Sequence, residues 1–257
     1  LVFTDANTEF HKDTLKNLVQ DLQKDDVGGV CGKLVLVDDE KSLKEGVEET
    51  SYWKYETVIK RAEGKCGILL SANGGIFAIK RKLFREIPVK KAVTDDLFIS
   101  LSVVDQGYKF TYGENSIAYE NTGKDVEAEY NRKVRFGATN FQTLTFFLNL
   151  LSFKRPLISY AFFSHKVSRW FLPHLLFVIL LITTFLESHS LIIGTFFYIQ
   201  LAFYLLAFAG FLLTKIKVRI PVFSLPYFFI ISNFAIAEGF YKFLRKEHSV
   251  IWNSTER

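Results

Sequence analysis

Leu1-Val2-Phe3-Thr4-Asp5-Ala6-Asn7-Thr8 opens the chain, an apolar run that gives way to a carboxylate and an amide two residues apart. Leu-Val-Phe predicts a buried strand, and the polar residues after it mark its carboxyl end. Ligands of α/β sheets sit beyond the carboxyl ends of the strands, so Asp5 is expected to face a site. Asp5 and the amide oxygen of Asn7 offer the oxygen ligands that a hard divalent cation, Mg or Mn, uses when it bridges a diphosphate. Taken alone, Asp-x-Asn is equally an Asx-type turn. A buried parallel strand needs neighbours on both sides, and the chain contains no methionine. The expectation is a fragment whose preceding strands and helices are missing.

Outward from this strand the pattern alternates. Leu15, Leu18, Val19 and Leu22 recur at helical spacing, and Gly28-Gly29 leads into a strand over 30–37 closed by Asp38-Asp39. A long helix is predicted over 42–62, packing through Val47, Tyr52, Tyr55 and Ile59, and 64–67 breaks it. The loop Ser71-Ala72-Asn73-Gly74-Gly75 precedes a short strand over 76–79. Thr94-Asp95-Asp96 starts a helix carrying Leu97, Leu101 and Val104, and short strands follow over 108–112 and 117–119. Strands and helices alternating at this scale predict an α/β layer architecture.

From Phe141 the solvent changes. Residues 141–153 are apolar but interrupted by Gln142, Thr143, Thr145 and Asn149, which predicts an interfacial helix rather than a span. Three longer apolar stretches follow, over 170–186, 191–213 and 220–240. At 1.5 Å per residue the middle one covers about 35 Å and the first about 26 Å, against a hydrocarbon core of about 30 Å. The expected domains are residues 1–140, 141–168 (interfacial), 169–242 (two or three membrane spans) and 243–257 (a basic tail). Lys215, Lys217 and Arg219 mark one loop as cytoplasmic, whereas the loop at Glu187 to Ser190 has neither Lys nor Arg. A third full span would then place Lys242, Arg245, Lys246 and Arg257 outside, against the charge rule, so a re-entrant or interfacial third segment is the alternative.

The 257 residues carry a formal net charge of +5, and the pI near 9.0 raises nucleic acid as a partner. The basic residues, however, flank the apolar stretches (Lys154, Arg155, Lys166, Arg169), and no aromatic-and-basic platform or DNA-reading motif is present. Membrane lipids are the expected charged partner and nucleic acid is excluded. Cys31 and Cys66 lack C-x-x-C spacing and a His cluster, and read as reduced, unpaired thiols.

Two further constellations join Asp5 and Asn7. Asp95-Asp96 at a helix start is favoured simply by capping and the helix dipole, but adjacent carboxylates also shift one another's proton affinity, as a general base requires. Arg132-Lys133-Val134-Arg135-Phe136 lies just before the apolar region. Such a run is a lipid-facing cluster or a bidentate anchor for a departing diphosphate.

In this order and spacing the three elements resemble the family-2 glycosyltransferases of the GT-A fold, especially the membrane-bound cellulose, hyaluronan and poly-N-acetylglucosamine synthases. Tyr52-Trp53-Lys54-Tyr55-Glu56 resembles the Tyr-Trp-Arg-Tyr-Glu stretch of those synthases, and the tail from Trp252 to Arg257 their Trp-containing ends. The resemblance implies a partial GT-A domain, a Rossmann-like mixed sheet, followed by interfacial and transmembrane helices. It implies a metal-dependent, inverting transferase. Asp5 and Asn7 would bind the cation and the donor diphosphate, with Arg132 and Arg135 on the diphosphate. Asp96, beside Asp95, would be the base, and Ala72, Asn73, Gly74 and Gly75 the acceptor loop. The implied partners are a UDP-linked sugar donor and a glycan or lipid-linked acceptor, in a multi-pass inner-membrane protein with its catalytic domain in the cytoplasm. The family's Gln-x-x-Arg-Trp element reads Arg132-x-x-Arg135-Phe136 here, which puts processive synthesis in question. The family half that holds the nucleotide base and ribose is absent, so this stretch alone is expected to be inactive. The rival expectations are loading of a single sugar onto a polyprenyl phosphate, and a non-catalytic assembly partner that keeps the fold.

Overall fold

A computed structural model describes residues 1–37, 47–121, 126–216, 218 and 220–247. Asp38-Asp39, residues 42–46, Lys217, Arg219 and the tail motif from Trp252 lie outside the described residues, as does the side chain of Tyr52. The described residues divide into two compact units, Leu1–Val126 with Thr139–Lys166, and Glu127–Ala138 with Val167–Glu247.

The first unit is built on a five-stranded mixed sheet. Its strands are β1 (Val2–Phe3), β2 (Thr8–Phe10), β3 (Val27–Val37), β4 (Phe77–Ile79) and β5 (Lys109–Asn121), in the order β1-β4-β3-β5-β2. β3 and β5 are parallel, whereas β1 and β3 flank β4 antiparallel and β2 pairs antiparallel with β5. Side chains alternate between two buried faces, as period-2 geometry requires. Val30, Ala78 and Ala118 pack with Leu18 of α1 (Thr14–Leu22). Cys31, Phe77, Ile79 and Phe110 pack on the other face with Ile99, Val103 and Val104 of α3 (Asp95–Asp105). Gly29 is required by packing: a Cβ there would clash with the Phe110 ring, two of whose atoms would lie within 2.5 Å.

Two expected strands prove to be one. β5 runs from Lys109 to Asn121, and its register on β3 steps from Gly32–Gly113 to Lys33–Ile117. Glu114, Asn115 and Ser116 therefore bulge out of the ladder, and this polar interruption is what made the segment read as two strands. β3 also begins at Val27, three residues before the expected start. The long helix is α2 (Val47–Lys65). The segment 141–153 is not one helix: it holds the end of α4 (Val126–Leu144) and a 3₁₀ turn, Leu148–Leu151, before α5 (Pro156–Ala161). Cys31 and Cys66 are unpaired, Cys31 buried and Cys66 exposed. Burial pushes the Cys31 thiol up to about 11, so it is inert at neutral pH.

The second unit holds α6 (Ser168–Leu186), α7 (Leu191–Lys215) and α8 (Pro221–Arg245), together with α4 residues Glu127–Ala138. Three helical stretches, Pro156–His189, Leu191–Lys215 and Pro221–Arg245, are long and apolar enough to cross a membrane. Their large apolar side chains stay exposed, Phe196 at 63% and Phe185 at 75% for instance. Water would not tolerate an apolar surface on that scale, whereas lipid does. The third stretch is one continuous helix of 25 residues.

Candidate functional site

Asp5 lies two residues past the end of β1 and is exposed. The loop before β4 returns to that strand end because β1 pairs with β4 through Phe3–Phe77 and Val2–Ala78. Asn73 and Ile76 close the loop into a turn, with the Ile76 N–H donating to the Asn73 carbonyl at 2.9 Å. At the turn's tip is Gly74. A Cβ built on Gly74 would lie 3.6 Å from Asp5 Oδ2 and 3.9 Å from Asp96 Oδ2. Two carboxylates separated by 91 positions thus border one small space, floored by a residue without a side chain.

Asp96 is placed by the start of α3, eight of whose eleven residues are buried. Its Oδ1 accepts the Leu97 N–H at 2.6 Å. Thr94 does not cap the helix through its side chain. Instead its hydroxyl donates to Asn140 Oδ1 and shares a hydrogen bond with Thr139, each at 2.7 Å, while its N–H donates to Thr143 Oγ1. Burial, and next the charge of neighbouring Asp95, push the Asp96 carboxyl up to about 6, against the pull of Lys60, the Leu97 N–H and Lys166. A carboxylate tuned to that value is ionised at neutral pH yet basic enough to accept a proton in a transition state. Asp95 itself is exposed.

Beneath the turn lies a charged network that sequence spacing did not reveal. Buried Lys60 of α2 donates to Asn73 Oδ1 at 2.5 Å and, more weakly, to the Ala72 carbonyl at 3.4 Å. Asn73 Nδ2 donates to the Gly32 carbonyl at 2.9 Å. The Ala72 N–H donates to Ser100 Oγ, whose hydroxyl donates to the Asp96 carbonyl at 2.6 Å. His165 bridges Glu63 at 2.6 Å and Glu56 at 3.0 Å, and Lys166 donates to Glu56 at 2.8 Å. Burial opposes ionisation of Glu56, but Lys166, His165 and Lys60 outweigh it and hold that carboxyl far below the usual range. Ala72 and Asn73 are therefore buried supports of the turn, and Gly74 is the member that borders the space between the carboxylates.

Asn7 sits just before β2, its Nδ2 donating to Glu120 Oε1 at 3.2 Å, which leaves Oδ1 as its metal-capable atom. Among the described residues no group of three or more His, Cys, Asp or Glu is placed to hold a metal ion. Asp5 and Asn7 nonetheless fit Mg or Mn, which are commonly held by one or two protein oxygens with substrate phosphates and water completing the shell. In the second unit Arg132 pairs with Glu129 at 2.5 Å, and the Arg132 and Arg135 guanidinium groups lie 5.9 and 5.4 Å from the Phe136 ring centroid.

The family model for glycosyl transferase family group 2 matches residues 1–231. The chain belongs to that family. Its mixed sheet with flanking helices is the GT-A type of fold. Among solved structures it is similar to a mannosyltransferase from Pyrobaculum calidifontis in complex with GDP-Man and Mn2+, with 19% identity and a TM-score of 0.58. That alignment covers 96% of this chain and 62% of the mannosyltransferase, so the chain spans about three fifths of that protein's length. No curated protein matches the chain.

Proposed function

We propose that this family-2 glycosyltransferase transfers a sugar, with inversion, from a nucleotide-diphosphate donor to a glycan or lipid-linked acceptor at the cytoplasmic face of a membrane. The observation that carries the reading is the convergence of Asp5 and Asp96 on the space beside Gly74. The acceptor hydroxyl sits in that space, where a side chain at position 74 would exclude it. Asp96 takes the hydroxyl proton as the oxygen attacks the anomeric carbon, and the carbon–oxygen bond to the diphosphate breaks on the opposite face. Asp5 and the Asn7 oxygen would hold the cation, which supplies charge stabilisation to the departing diphosphate when bound. Asp95 raises the basicity of Asp96 by like charge and touches nothing that reacts.

The resemblance to polysaccharide synthases favours a UDP-linked donor and a growing polymer, while the GDP-Man of the solved mannosyltransferase makes a mannose donor the alternative. The three apolar helices agree with a membrane acceptor or product. Incubating the intact protein in membranes with a panel of radiolabelled nucleotide sugars, with and without Mn2+, tests the reading. Metal-dependent transfer is expected, and product size separates a polymer from a single-sugar lipid. Absence of both transfer and donor hydrolysis across the panel would favour a non-catalytic partner.

A further inference from the structure

Asp5-Ala6-Asn7-Thr8 closes as a turn, the Thr8 N–H donating to the Asp5 carbonyl at 3.2 Å. The turn joins β1 to β2, which stand at opposite ends of the strand order. Its far end is held from two sides. A Cβ on Gly75 would come within 2.7 Å of Thr8 Oγ1, so the backbone beside Gly74 packs directly on Thr8. From the other side comes Glu120, the residue opposite Thr8 in the β2–β5 pair. Period-two geometry puts Glu120 on the same face as Ala118, which packs in the core with Leu18. Glu120 is accordingly only 8% exposed. A carboxyl group in such a place needs hydrogen-bond donors. Asn7 supplies one from 113 positions away, its Nδ2 donating to Glu120 Oε1 at 3.2 Å.

We infer that Glu120 is a positioning residue for the cation: it holds the Asn7 amide so that Oδ1, and not Nδ2, is presented to the metal. The inference rests on the reading that Asp5 and Asn7 bind that cation. Asn7 is exposed, and the terminal torsion of an asparagine is broad and roughly two-fold, so either amide atom could point outward. A carboxylate only accepts hydrogen bonds, so the amide nitrogen must face Glu120 and the oxygen points away from it. Partners that orient a metal ligand from behind in this way typically matter about 10–100-fold in metal affinity. The pairing also accounts for an amide at this position. An aspartate at position 7 would set two carboxylates against one another, each disfavouring the other's charge.

The test reads metal binding rather than turnover. Mn2+ affinity of the intact, detergent-solubilised protein is measured by electron paramagnetic resonance in the presence of UDP or GDP. The variants are Glu120→Ala, Glu120→Gln, Asn7→Ala and the Asn7→Ala/Glu120→Ala pair. Glu120→Ala is expected to raise the Mn2+ Kd about tenfold. Glu120→Leu, which also lacks an acceptor but leaves less of a cavity, gives the same loss and stands in where alanine unfolds the chain. Glu120→Gln, whose Oε1 still accepts from Asn7, keeps the Kd within about threefold of the native protein. The double variant binds no more weakly than Asn7→Ala alone, because Glu120 acts through Asn7. A native Kd in Glu120→Ala with Asn7→Ala impaired overturns this inference alone, and so does a double variant weaker than Asn7→Ala. A native Kd in Asn7→Ala, or no Mn2+ binding by the native protein, overturns both it and the assignment of Asn7 to the cation.

Discussion

Lys60 Nζ donates to Asn73 Oδ1 across 2.5 Å in the buried interior of the first unit, tying α2 to the turn that carries Gly74 between Asp5 and Asp96. The same charge opposes the upward shift of the Asp96 proton affinity. Position and electrostatics of the site therefore share one side chain.

Replacing Lys60 by Met should remove both effects. Hydrogen bonds to charged groups contribute about 1.5–3 kcal/mol, and a fall in unfolding free energy of that order is expected. Without the Lys60 charge the Asp96 carboxyl rises further, so the acid limb of the pH–rate profile moves to higher pH. Denaturant titration and a pH profile of the same variant check the two parts.

The pH dependence of the native protein follows from Asp96 at about 6, above its ordinary value of 3.8. Transfer requires the carboxylate, so kcat/KM should climb as pH rises through about 6 and level off above it. Stability runs the other way. A folded value above the unfolded one means that the folded state binds the proton more tightly. That stabilisation is complete below 3.8 and is lost as pH rises through about 6. Asp96→Asn should therefore raise stability at neutral pH by up to about 3 kcal/mol while eliminating turnover.

Gly74→Ala separates packing from chemistry. The added methyl meets Asp5 and Asp96 at 3.6 and 3.9 Å, ordinary contact distances, so unfolding free energy should change by less than about 0.5 kcal/mol. The space for the acceptor hydroxyl is filled, and transfer should fall at least about tenfold, with donor KM unchanged. Retained transfer would place the acceptor elsewhere.

His165→Ala leaves the buried carboxylates Glu56 and Glu63 without the imidazole that lies between them. Removing one partner from a buried charged network costs about 3–5 kcal/mol, and a Tm drop of several degrees in thermal unfolding is expected. A Tm within a degree of the native protein would remove the network from the account of stability.

How much of this was legible in the sequence depended on range. Asp5 at a strand end, the Gly74 loop and the helix after Asp96 were readable because strand and helix periods are local. The bulge in β5 was not, since Glu114, Asn115 and Ser116 read as a break unless β3 is known to lie alongside. The helical stretch around Arg132 went unseen because its buried stripe mixes Tyr130, Lys133 and Gly137, a polar pattern whose partners lie about a hundred residues away on α8. For the same reason the Glu56–His165–Glu63 network left no trace, as it joins residues 102 and 109 positions apart.

The most direct measurement is turnover against donor affinity in Asp96→Asn of the intact protein. The account predicts loss of transfer by at least about a hundredfold, the scale of one general base, with nucleotide-sugar Kd within about twofold of the native protein. Near-native turnover in that variant would contradict it, and the space between Asp5 and Asp96 would no longer be the place where the sugar is transferred.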